Sequence, residues 1–349
     1  MMWQEYSYSG PEGARSYCVY TPQGYQPVVP APLVVMLHGC RQTPEDFAAG
    51  TQMNALADQH HFVVVYPKQS SVSNLQRCWN WFQATNHLRG SGEPALIVGI
   101  VQAMRQATSN WTIDPARVYV AGLSAGGALA GILGSTYPDV FAAIGIHSGT
   151  VYQAATSMEA GLKAMRGGGP DPEQQGERAF QAMGSFARVV PTIVFQGTGD
   201  YIVVPINGDQ VVQQWLQTNR LASGGSYAPD FAMPGSITSG QTPHGRGYTV
   251  QRWNDAQGKE IQAYWRVTGM GHAWSGGSYN GSYADPRGPD ATLALYEFFM
   301  AHPMPQPAAL AAAQATNTPE LPDAEVVEGR PWQKLRQMPR KLRERFSNL

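Results

Sequence analysis

Residues 117–127 read RVYVAGLSAGG and join a β-rich run to a Gly-x-Ser-x-Gly turn and to an apolar segment that continues to residue 133. This strand–turn–helix context predicts a nucleophile elbow, in which Ser124 occupies a tight turn and its hydroxyl projects above a sheet. Gly122 and Gly126 keep side chains out of the space where strand and helix crowd together. A glycine–serine turn that merely begins a helix is the alternative, and it must account for the flanking elements as well.

Apolar runs suited to buried strands alternate with segments of helical period along most of the chain. The segments predicted as strands are 6–8, 16–20, 32–37, 62–67, 118–121, 142–147, 189–195, 248–253 and 261–267. The segments predicted as helices are 44–59, 94–104, 128–138, 152–188, 211–221 and 291–302. Residues 222–247 are rich in Gly, Ser and Pro and predict a long surface excursion. The alternation predicts an α/β fold in which helices cover both faces of a mostly parallel central sheet.

Composition and charge narrow the classes of protein that the chain can be. Hydrophobic residues make up 43% of the 349 residues, which supplies a sizeable core and excludes global disorder. The net charge of −1 argues against a dedicated nucleic-acid-binding protein, which normally has a basic face. The charge is uneven, because residues 330–349 hold seven Lys/Arg and one Glu, a local charge of +6.

We expect three segments along the chain. They are a catalytic domain at 1–303, a flexible linker at 304–329 that is Ala/Pro-rich and then acidic, and a basic amphipathic tail at 330–349. Apolar residues at helical spacing in the tail indicate a weak contact with an anionic membrane or a granule surface. A solvated or domain-packed tail is the alternative that we favour, and Pro339 interrupts the helical pattern. The oligomeric state is left open.

The N-terminal sequence bears on the compartment. It has no basic start followed by an apolar run, so no signal peptide is visible. No stretch reaches the length of a membrane span. We therefore expect a cytoplasmic protein, or an extracellular or periplasmic one if the true start lies upstream.

Three polar side chains follow predicted strands at their carboxyl ends, where open α/β sheets have their sites. Ser124 is the predicted nucleophile, His272 the predicted general base, and Asp200 the acid that fixes the imidazole tautomer. The order Ser, Asp, His along the chain is that of the α/β-hydrolases. Asp209 is the weaker candidate for the acid, because it begins a helix. Asp200 could instead serve only as a loop-turn residue, and His272 could have a structural role.

Acyl transfer also needs hydrogen-bond donors for the oxyanion that develops in the transition state. The backbone amide of Ala125, directly after the nucleophile at a helix start, is the first predicted donor. The amide of Cys40, which follows His38 and Gly39 at the end of an early strand, is the second. His38 could itself be a base, but we favour a structural role because the backbone of the loop supplies the donors.

Cysteines and other potential ligands give no sign of a metal site. Cys18, Cys40 and Cys78 have no Cys-x-x-Cys spacing, and their number allows one disulfide with a free thiol or three reduced thiols. No group of His, Asp and Glu has ligand spacing, and no phosphate-binding glycine loop is present. We therefore expect neither a metal nor a cofactor.

Four short motifs resemble those of the polyhydroxybutyrate (PHB) depolymerase esterase family, which is related to feruloyl and acetylxylan esterases. They are LHGCRQ at 37–42, CWNWF at 78–82, GLSAGG at 122–127 and GMGHAWSGG at 269–277. The resemblance spans about residues 5–303 and implies an α/β-hydrolase fold with Ser124, Asp200 and His272 as a catalytic triad. It also suggests that Cys40 and Cys78 are neighbours that a disulfide could link, although the missing signal peptide leaves their oxidation state open.

The resemblance implies hydrolysis of carboxylic esters through an acyl-enzyme at Ser124. Secreted polymer depolymerases often carry a separate polymer-binding domain, and none is visible here, so we expect short-chain hydroxyalkanoate oligomers or short acyl esters as substrates. A feruloyl or acetylxylan esterase is the alternative among enzymes. The alternative that is not an enzyme is a surface-binding protein with a degenerate hydrolase fold. The intact triad argues against this alternative.

Aromatic residues of the motifs are candidates for substrate contact. We predict that Trp79, Trp81 and Trp274 line an acyl or aryl cleft. Core aromatics need no ligand, so burial in the core is the alternative for all three.

Overall fold

A sheet of ten strands forms the centre of the computed structural model, which describes residues 2–305. The strands of this sheet are β1 (Trp3–Gly10), β2 (Gly13–Tyr20), β3 (Ala31–Leu37), β4 (Val63–Pro67), β5 (Ile113–Leu123), β6 (Ile144–His147), β7 (Thr192–Gly197), β8 (Ser236–Gln241), β9 (Gly247–Asn254) and β10 (Glu260–Val267). They lie side by side in the order β1-β2-β4-β3-β5-β6-β7-β10-β9-β8. A separate short pair joins β11 (Trp274–Ser275) to β12 (Ala284–Asp285).

The central strands β4-β3-β5-β6-β7-β10 are parallel, and antiparallel strands extend the sheet at both edges. Every residue of β3 and β4 is buried. Strands of this kind are apolar throughout because a parallel sheet is covered on both faces. The structure therefore confirms the predicted α/β class with a mostly parallel sheet.

Helices cover both faces of the sheet. They are α1 (Pro44–Thr51), α2 (Met53–His60), α3 (Gly92–Gln106), α4 (Ala125–Thr136), α5 (Met158–Gly167), α6 (Pro172–Met183), α7 (Ile206–Ala222) and α8 (Ala291–Met300). One core cluster joins Leu33 and Val35 of β3 to α3, α4, α6 and α7. A second cluster joins Val34 and Met36 of the same strand to α1, α2 and α8. Successive side chains of a strand point to opposite faces, so β3 contributes to both cores.

Two local features differ from the prediction. The segment predicted as one helix over 44–59 forms two helices, because Gln52 between α1 and α2 has a left-handed backbone with φ 58°. The segment 222–247, predicted to be a surface excursion, contains β8, which pairs with β9 at an edge of the sheet. Most of β8 is exposed, so its sequence has no alternating apolar pattern.

The described body continues to residue 305. Met304 donates its backbone amide to the Ala116 carbonyl at 2.7 Å and so remains attached to this body. The rest of the predicted linker at 304–329, and the predicted tail at 330–349, lie outside the described residues. Within the described residues, no helix combines the length and the hydropathy needed to cross a bilayer.

Candidate active site

Ser124 occupies the turn between β5, which ends at Leu123, and α4, which begins at Ala125. Its backbone angles are φ 58° and ψ −119°, a strained conformation that L-residues rarely adopt. The Ser124 amide donates to the His147 carbonyl, at the end of β6, at 2.9 Å, and this bond helps to hold the turn. The strand–turn–helix geometry is that of a nucleophile elbow.

Glycines allow the elbow to pack closely against β3. A Cβ atom on Gly126 would collide with the carbonyl oxygen of Leu37, and a Cβ atom on Gly122 would collide with the backbone of Gly126. The start of α4 therefore approaches β3 through backbone atoms alone. This approach brings the Ala125 amide beside residues 38–42, which we call the oxyanion loop.

Asp200 and His272 form a buried hydrogen-bonded pair. His272 Nδ1 lies 2.7 Å from Asp200 Oδ2, while Asp200 Oδ1 accepts the amides of Ile202 and Val203 at 2.9 Å each. Burial on its own would raise the pKa of Asp200, but the bond to His272 and the two amides outweigh burial and lower this pKa. The ionised Asp200 favours the tautomer of His272 that carries its proton on Nδ1 and leaves Nε2 free to accept one.

The backbone amides of Cys40 and Ala125 are available to an oxyanion. Within the described part of the chain, neither amide donates to a protein acceptor. The adjacent Gly39 amide is occupied, because it donates to Gln42 Oε1 at 2.9 Å. A Cβ atom on Gly39 would lie 3.6 Å from Ser124 Cβ, so the oxyanion loop is next to the predicted nucleophile. Two free amides beside a serine are the arrangement that an oxyanion hole requires.

A disulfide and several hydrogen bonds hold the oxyanion loop against the segment that precedes Trp79. Cys40 and Cys78 form the disulfide, across 38 positions of sequence. The Arg41 amide donates to the Gln76 carbonyl at 2.6 Å, and Arg41 Nε donates to Gln76 Oε1 at 2.8 Å. Covalent and polar contacts therefore fix the loop, and Cys40 and Cys78 also pack against the core.

Ser124 and His272 open onto one cavity of about 240 Å³. The residues that line it are Gly39, Cys40, Arg41, Gln42, Leu123, Ser124, Met165, Ile202, His272 and Tyr283. One side is apolar, and the other side is the oxyanion loop. Cavities for drug-sized ligands begin at roughly 300 Å³, so this one suits a short acyl group.

The model of the family described as esterase PHB depolymerase matches residues 15–228, which include Ser124 and Asp200. The chain belongs to this family. His272 lies beyond the matched residues. Among solved structures, the acetyl xylan esterase from Aspergillus awamori has a TM-score of 0.67 at 21% identity and covers 86% of this chain and 99% of its own. This likeness identifies the α/β-hydrolase fold.

Curated relatives of this PHB depolymerase-family chain are named depolymerases, feruloyl esterases and acetylxylan esterases. Poly(3-hydroxyalkanoate) depolymerase C of Paucimonas lemoignei is 37% identical over 244 residues, which are 69% of this chain and 55% of the relative. Poly(3-hydroxybutyrate) depolymerase of Ralstonia pickettii is 31% identical over 72% of this chain and 50% of its own length. Feruloyl esterase B of Neurospora crassa is 29% identical over 59% of this chain and 70% of its own. The chain thus spans about half the length of the two depolymerases.

The three tryptophans of the PHB depolymerase-like motifs do not line the cavity. Trp79, Trp81 and Trp274 are only 0%, 6% and 1% exposed. Trp79 donates its indole N–H to the His38 carbonyl at 3.1 Å, and Trp274 donates to Thr292 Oγ1 at 3.0 Å. Their large apolar rings pack in the core, and each of these two N–H groups finds a buried acceptor. The predicted substrate-binding role of the three is therefore corrected to a core role.

Contacts in the structure also account for His38 and Asp209, the two weaker candidates for catalytic roles. His38 Nδ1 lies 2.7 Å from the Gly39 carbonyl, and its Nε2 accepts the Gln69 amide at 3.2 Å. Burial lowers the pKa of His38 to about 4, so the neutral ring uses both nitrogens to hold backbone. Asp209, on α7, accepts the Tyr264 hydroxyl at 2.9 Å and takes no part in the carboxylate–histidine pair.

His147 is a residue of the site that the sequence reasoning missed. Its carbonyl accepts the Ser124 amide, and its Nε2 accepts the amide of Ser275 at 3.1 Å. Ser275 follows His272 by three residues. Burial lowers the pKa of His147 to about 3, so at neutral pH the uncharged ring is able to accept this bond. One residue therefore links the elbow to the segment that carries the histidine. The ring contact joins positions 128 residues apart, which no local pattern reveals.

Met165, Ile202 and Tyr283 of the cavity lie outside the sequence motifs. Met165, on α5, lines the cavity, while its carbonyl accepts the Val204 amide at 2.9 Å and the Asn207 side chain at 3.1 Å. Tyr283 has φ 52°, and its ring lies edge-on to His272 with 6.3 Å between ring centroids. In the part of the chain that the structure covers, no group of three or more His, Cys, Asp or Glu could hold a metal ion.

Proposed function

We propose that the chain is a serine esterase that hydrolyses short hydroxyacyl or acyl esters through an acyl-enzyme at Ser124. The shared cavity carries this proposal, because a strained serine, a histidine paired with a buried aspartate and Cys40 all border it, and the Ala125 amide directly follows the serine. Acyl transfer needs each of these parts. The family match and the depolymerase relatives support the same reaction class.

In the first half-reaction, Ser124 Oγ attacks the ester carbonyl carbon while His272 Nε2 accepts the hydroxyl proton. Asp200 stabilises the resulting imidazolium through the hydrogen bond to Nδ1. The amides of Cys40 and Ala125 bind the oxyanion of the tetrahedral intermediate. His272 then gives its proton to the leaving alkoxide, the ester C–O bond breaks, and an alcohol departs from the acyl-enzyme.

Water completes the reaction in the second half. His272 Nε2 accepts a proton from a water molecule, whose oxygen attacks the acyl carbonyl carbon. The same two amides bind the second oxyanion. When the bond to Ser124 Oγ breaks, His272 returns the proton to that oxygen, and the carboxylic acid leaves.

The cavity supports a small acyl group as the substrate. Its volume of about 240 Å³ leaves room for a few carbon atoms rather than for a long chain. Leu123, Met165 and Ile202 supply apolar contacts for such a group. A hydroxybutyrate unit fits within this volume and carries an apolar methyl branch, and two relatives are named depolymerases of poly(3-hydroxyalkanoate) and poly(3-hydroxybutyrate). We therefore propose hydroxyalkanoate oligomers or short acyl esters as substrates.

Removal of acyl groups from carbohydrate is the second candidate function. Feruloyl esterase B and the acetyl xylan esterase are also similar to this chain, and an acetyl group would fit the same cavity. A panel of hydroxybutyrate trimer, acetylated xylo-oligosaccharide and methyl ferulate separates the candidates. The substrate with the highest kcat/KM identifies the function. A highest value on acetylated xylo-oligosaccharide or on methyl ferulate would replace the first candidate.

Replacement of Ser124 tests the proposed nucleophile. Ser124→Ala should lower kcat for p-nitrophenyl butyrate by about 10³-fold or more, because the acyl-enzyme can no longer form. The variant should also lose labelling by a fluorophosphonate probe, which a non-catalytic surface-binding protein would not take up. Ser135→Ala is the matched control, since Ser135 lies on α4, directly after the elbow, and among the described residues its hydroxyl donates to the Gly131 carbonyl alone. Full activity of Ser124→Ala would refute the proposal.

The disulfide bears on the compartment. Disulfides persist in oxidising compartments, so the Cys40–Cys78 bond supports an extracellular or periplasmic location rather than the cytoplasm. Thiol titration of the unfolded, non-reduced protein should find only Cys18. Three titratable thiols would instead support the cytoplasm. Contact of the tail at 330–349 with a membrane or granule surface remains a proposal from the sequence.

A further inference from the structure

Arg41 differs in chemistry from the rest of the cavity. Among the described residues that line the cavity, Arg41 has the only permanent charge. Its guanidinium uses Nε to donate to Gln76 Oε1 at 2.8 Å. Within the described part of the chain, its two terminal nitrogens bind no protein acceptor and no carboxylate pairs with it. A guanidinium at a substrate cavity with two free donor groups is a ready site for an anion.

The backbone of Arg41 is fixed by its surroundings, and its side chain is exposed with Nε bonded to Gln76. The Arg41 backbone has φ 67°, a left-handed conformation that costs energy for a residue with a side chain. The Gln76 carbonyl accepts the Arg41 amide, and Arg77 Nη2 donates to the Arg41 carbonyl at 2.6 Å. The preceding residue, Cys40, is covalently bound to Cys78. Binding through Arg41 therefore loses less conformational entropy than binding through a free surface side chain would.

Arg77 adds to the positive potential at the same place. It too has a left-handed backbone, with φ 51°, and its guanidinium lies against the Arg41 carbonyl. No carboxylate of the described chain forms a salt bridge with Arg77. Two arginines without acidic partners beside one cavity attract anionic rather than neutral substrates.

We infer that Arg41 binds the free carboxylate at the end of a hydroxyacyl ester oligomer and directs hydrolysis to the ester bond next to that end. This inference rests on the proposed esterase function. In such an oligomer, the ester oxygen and two carbon atoms separate the terminal carboxylate from the scissile carbonyl. Arg41 directly follows Cys40, whose amide we propose as an oxyanion donor, so its side chain can span this short distance. Hydrolysis adds one water and releases the terminal hydroxy acid as the alcohol product.

The test compares the linear 3-hydroxybutyrate trimer with its methyl ester, which differs only in the terminal charge. The wild-type protein should prefer the free acid at low ionic strength, and this preference should weaken as salt is added. Arg41→Gln should lower the ratio of kcat/KM for the acid to kcat/KM for the methyl ester about fivefold to tenfold, because loss of loop support affects both esters alike whereas loss of the charge affects only the acid. Arg41→Lys should keep part of the preference.

Arg105→Gln serves as the matched control, because Arg105 is an exposed arginine on α3 that does not line the cavity. The inference is overturned if the wild-type protein hydrolyses both trimers equally well. It is also overturned if Arg41→Gln impairs both trimers alike, since that result assigns Arg41 a structural role. If p-nitrophenyl butyrate is hydrolysed and neither trimer is, carboxylate recognition fails while the esterase proposal stands. If Ser124→Ala retains full activity, the esterase proposal itself fails.

Discussion

The bond between Asp200 Oδ2 and His272 Nδ1 makes the candidate site depend on one buried carboxylate. Replacing Asp200 by Asn preserves the shape but presents an amide that favours the opposite tautomer of the imidazole. We expect Asp200→Asn to lower kcat for p-nitrophenyl butyrate at pH 7 by about 10³- to 10⁴-fold. A loss of less than about tenfold would show that another residue orients His272.

Asp200→Asn should also change how the free energy of unfolding depends on pH. Because folding lowers the pKa of Asp200, the native state stabilises the ionised carboxylate. This contribution is complete above the unfolded-state pKa of about 3.9 and is lost as the pH falls through the lower folded-state pKa. The difference in free energy of unfolding between wild type and Asp200→Asn should therefore be larger at pH 7 than at pH 3. Urea unfolding at both pH values measures it, and equal differences would contradict the prediction.

Individual residues could be predicted from the sequence where a local pattern marks them. Ser124 and His272 each stand among glycines after an apolar run, and a pattern of that kind is visible in one dimension. The tryptophan motifs were visible too, but their burial depends on elements packed from elsewhere in the chain. His147 contributes through a contact between distant positions, so its role emerges only from the three-dimensional arrangement.

At the scale of elements, the central strands were predictable because a strand covered on both faces must be apolar throughout. The edge strand β8 was not, because mostly exposed positions impose no such requirement. The break between α1 and α2 was also missed. It lies at Gln52, where neither glycine nor proline marks the left-handed residue.

The disulfide of the oxyanion loop provides a prediction at this scale. Replacing both Cys40 and Cys78 by Ser should lower the free energy of unfolding by about 2–4 kcal/mol, because the closed loop covers 38 positions. The kcat should also fall, since the Cys40 amide remains but its loop is less constrained. Urea unfolding and p-nitrophenyl butyrate hydrolysis measure the two effects.

Cys18→Ala is the control for these cysteine substitutions. Cys18 is the free, buried cysteine of the described residues, so this variant should respond to dithiothreitol as the wild type does. The double Ser variant should be insensitive to the reductant. Unchanged activity and stability in the double variant would mean that the hydrogen bonds of Arg41 suffice to hold the loop.

At the scale of the whole molecule, the site belongs to the body described up to residue 305. The described residues that line the cavity all lie within this body, and Met304 remains bonded to Ala116 near its end. A chain that ends after residue 306 should therefore keep kcat/KM for p-nitrophenyl butyrate within about twofold of the full chain. Co-sedimentation with anionic vesicles should decrease, because the truncation removes the basic residues of 330–349.

The two readouts of this truncation are independent. A large loss of kcat/KM would mean that residues beyond 306 take part in the site. Vesicle binding that is unchanged by the truncation would rule out the tail as the contact, whatever happens to the activity. High salt should release the full chain from the vesicles if charge drives the contact.

The central part of the sheet could be predicted from the sequence better than its edges could. Alternating apolar strands and helices indicate a covered parallel sheet, and the family match and the acetyl xylan esterase likeness agree. The antiparallel addition at one edge depends on the pairing of β2 with β4, which lie far apart in the chain. Such long-range pairings have no local pattern in the sequence.

At Met165, the backbone makes a structural contact and the side chain lines the cavity. Its carbonyl oxygen fastens α5 to Val204 and to Asn207 at the start of α7, whereas its side chain borders the cavity and packs against the core. Any residue type that keeps the helix can provide that carbonyl. Substitutions at position 165 can therefore widen or narrow the space for the acyl group without disturbing the catalytic apparatus. Substrate preference can then diverge between relatives while the chemistry stays the same.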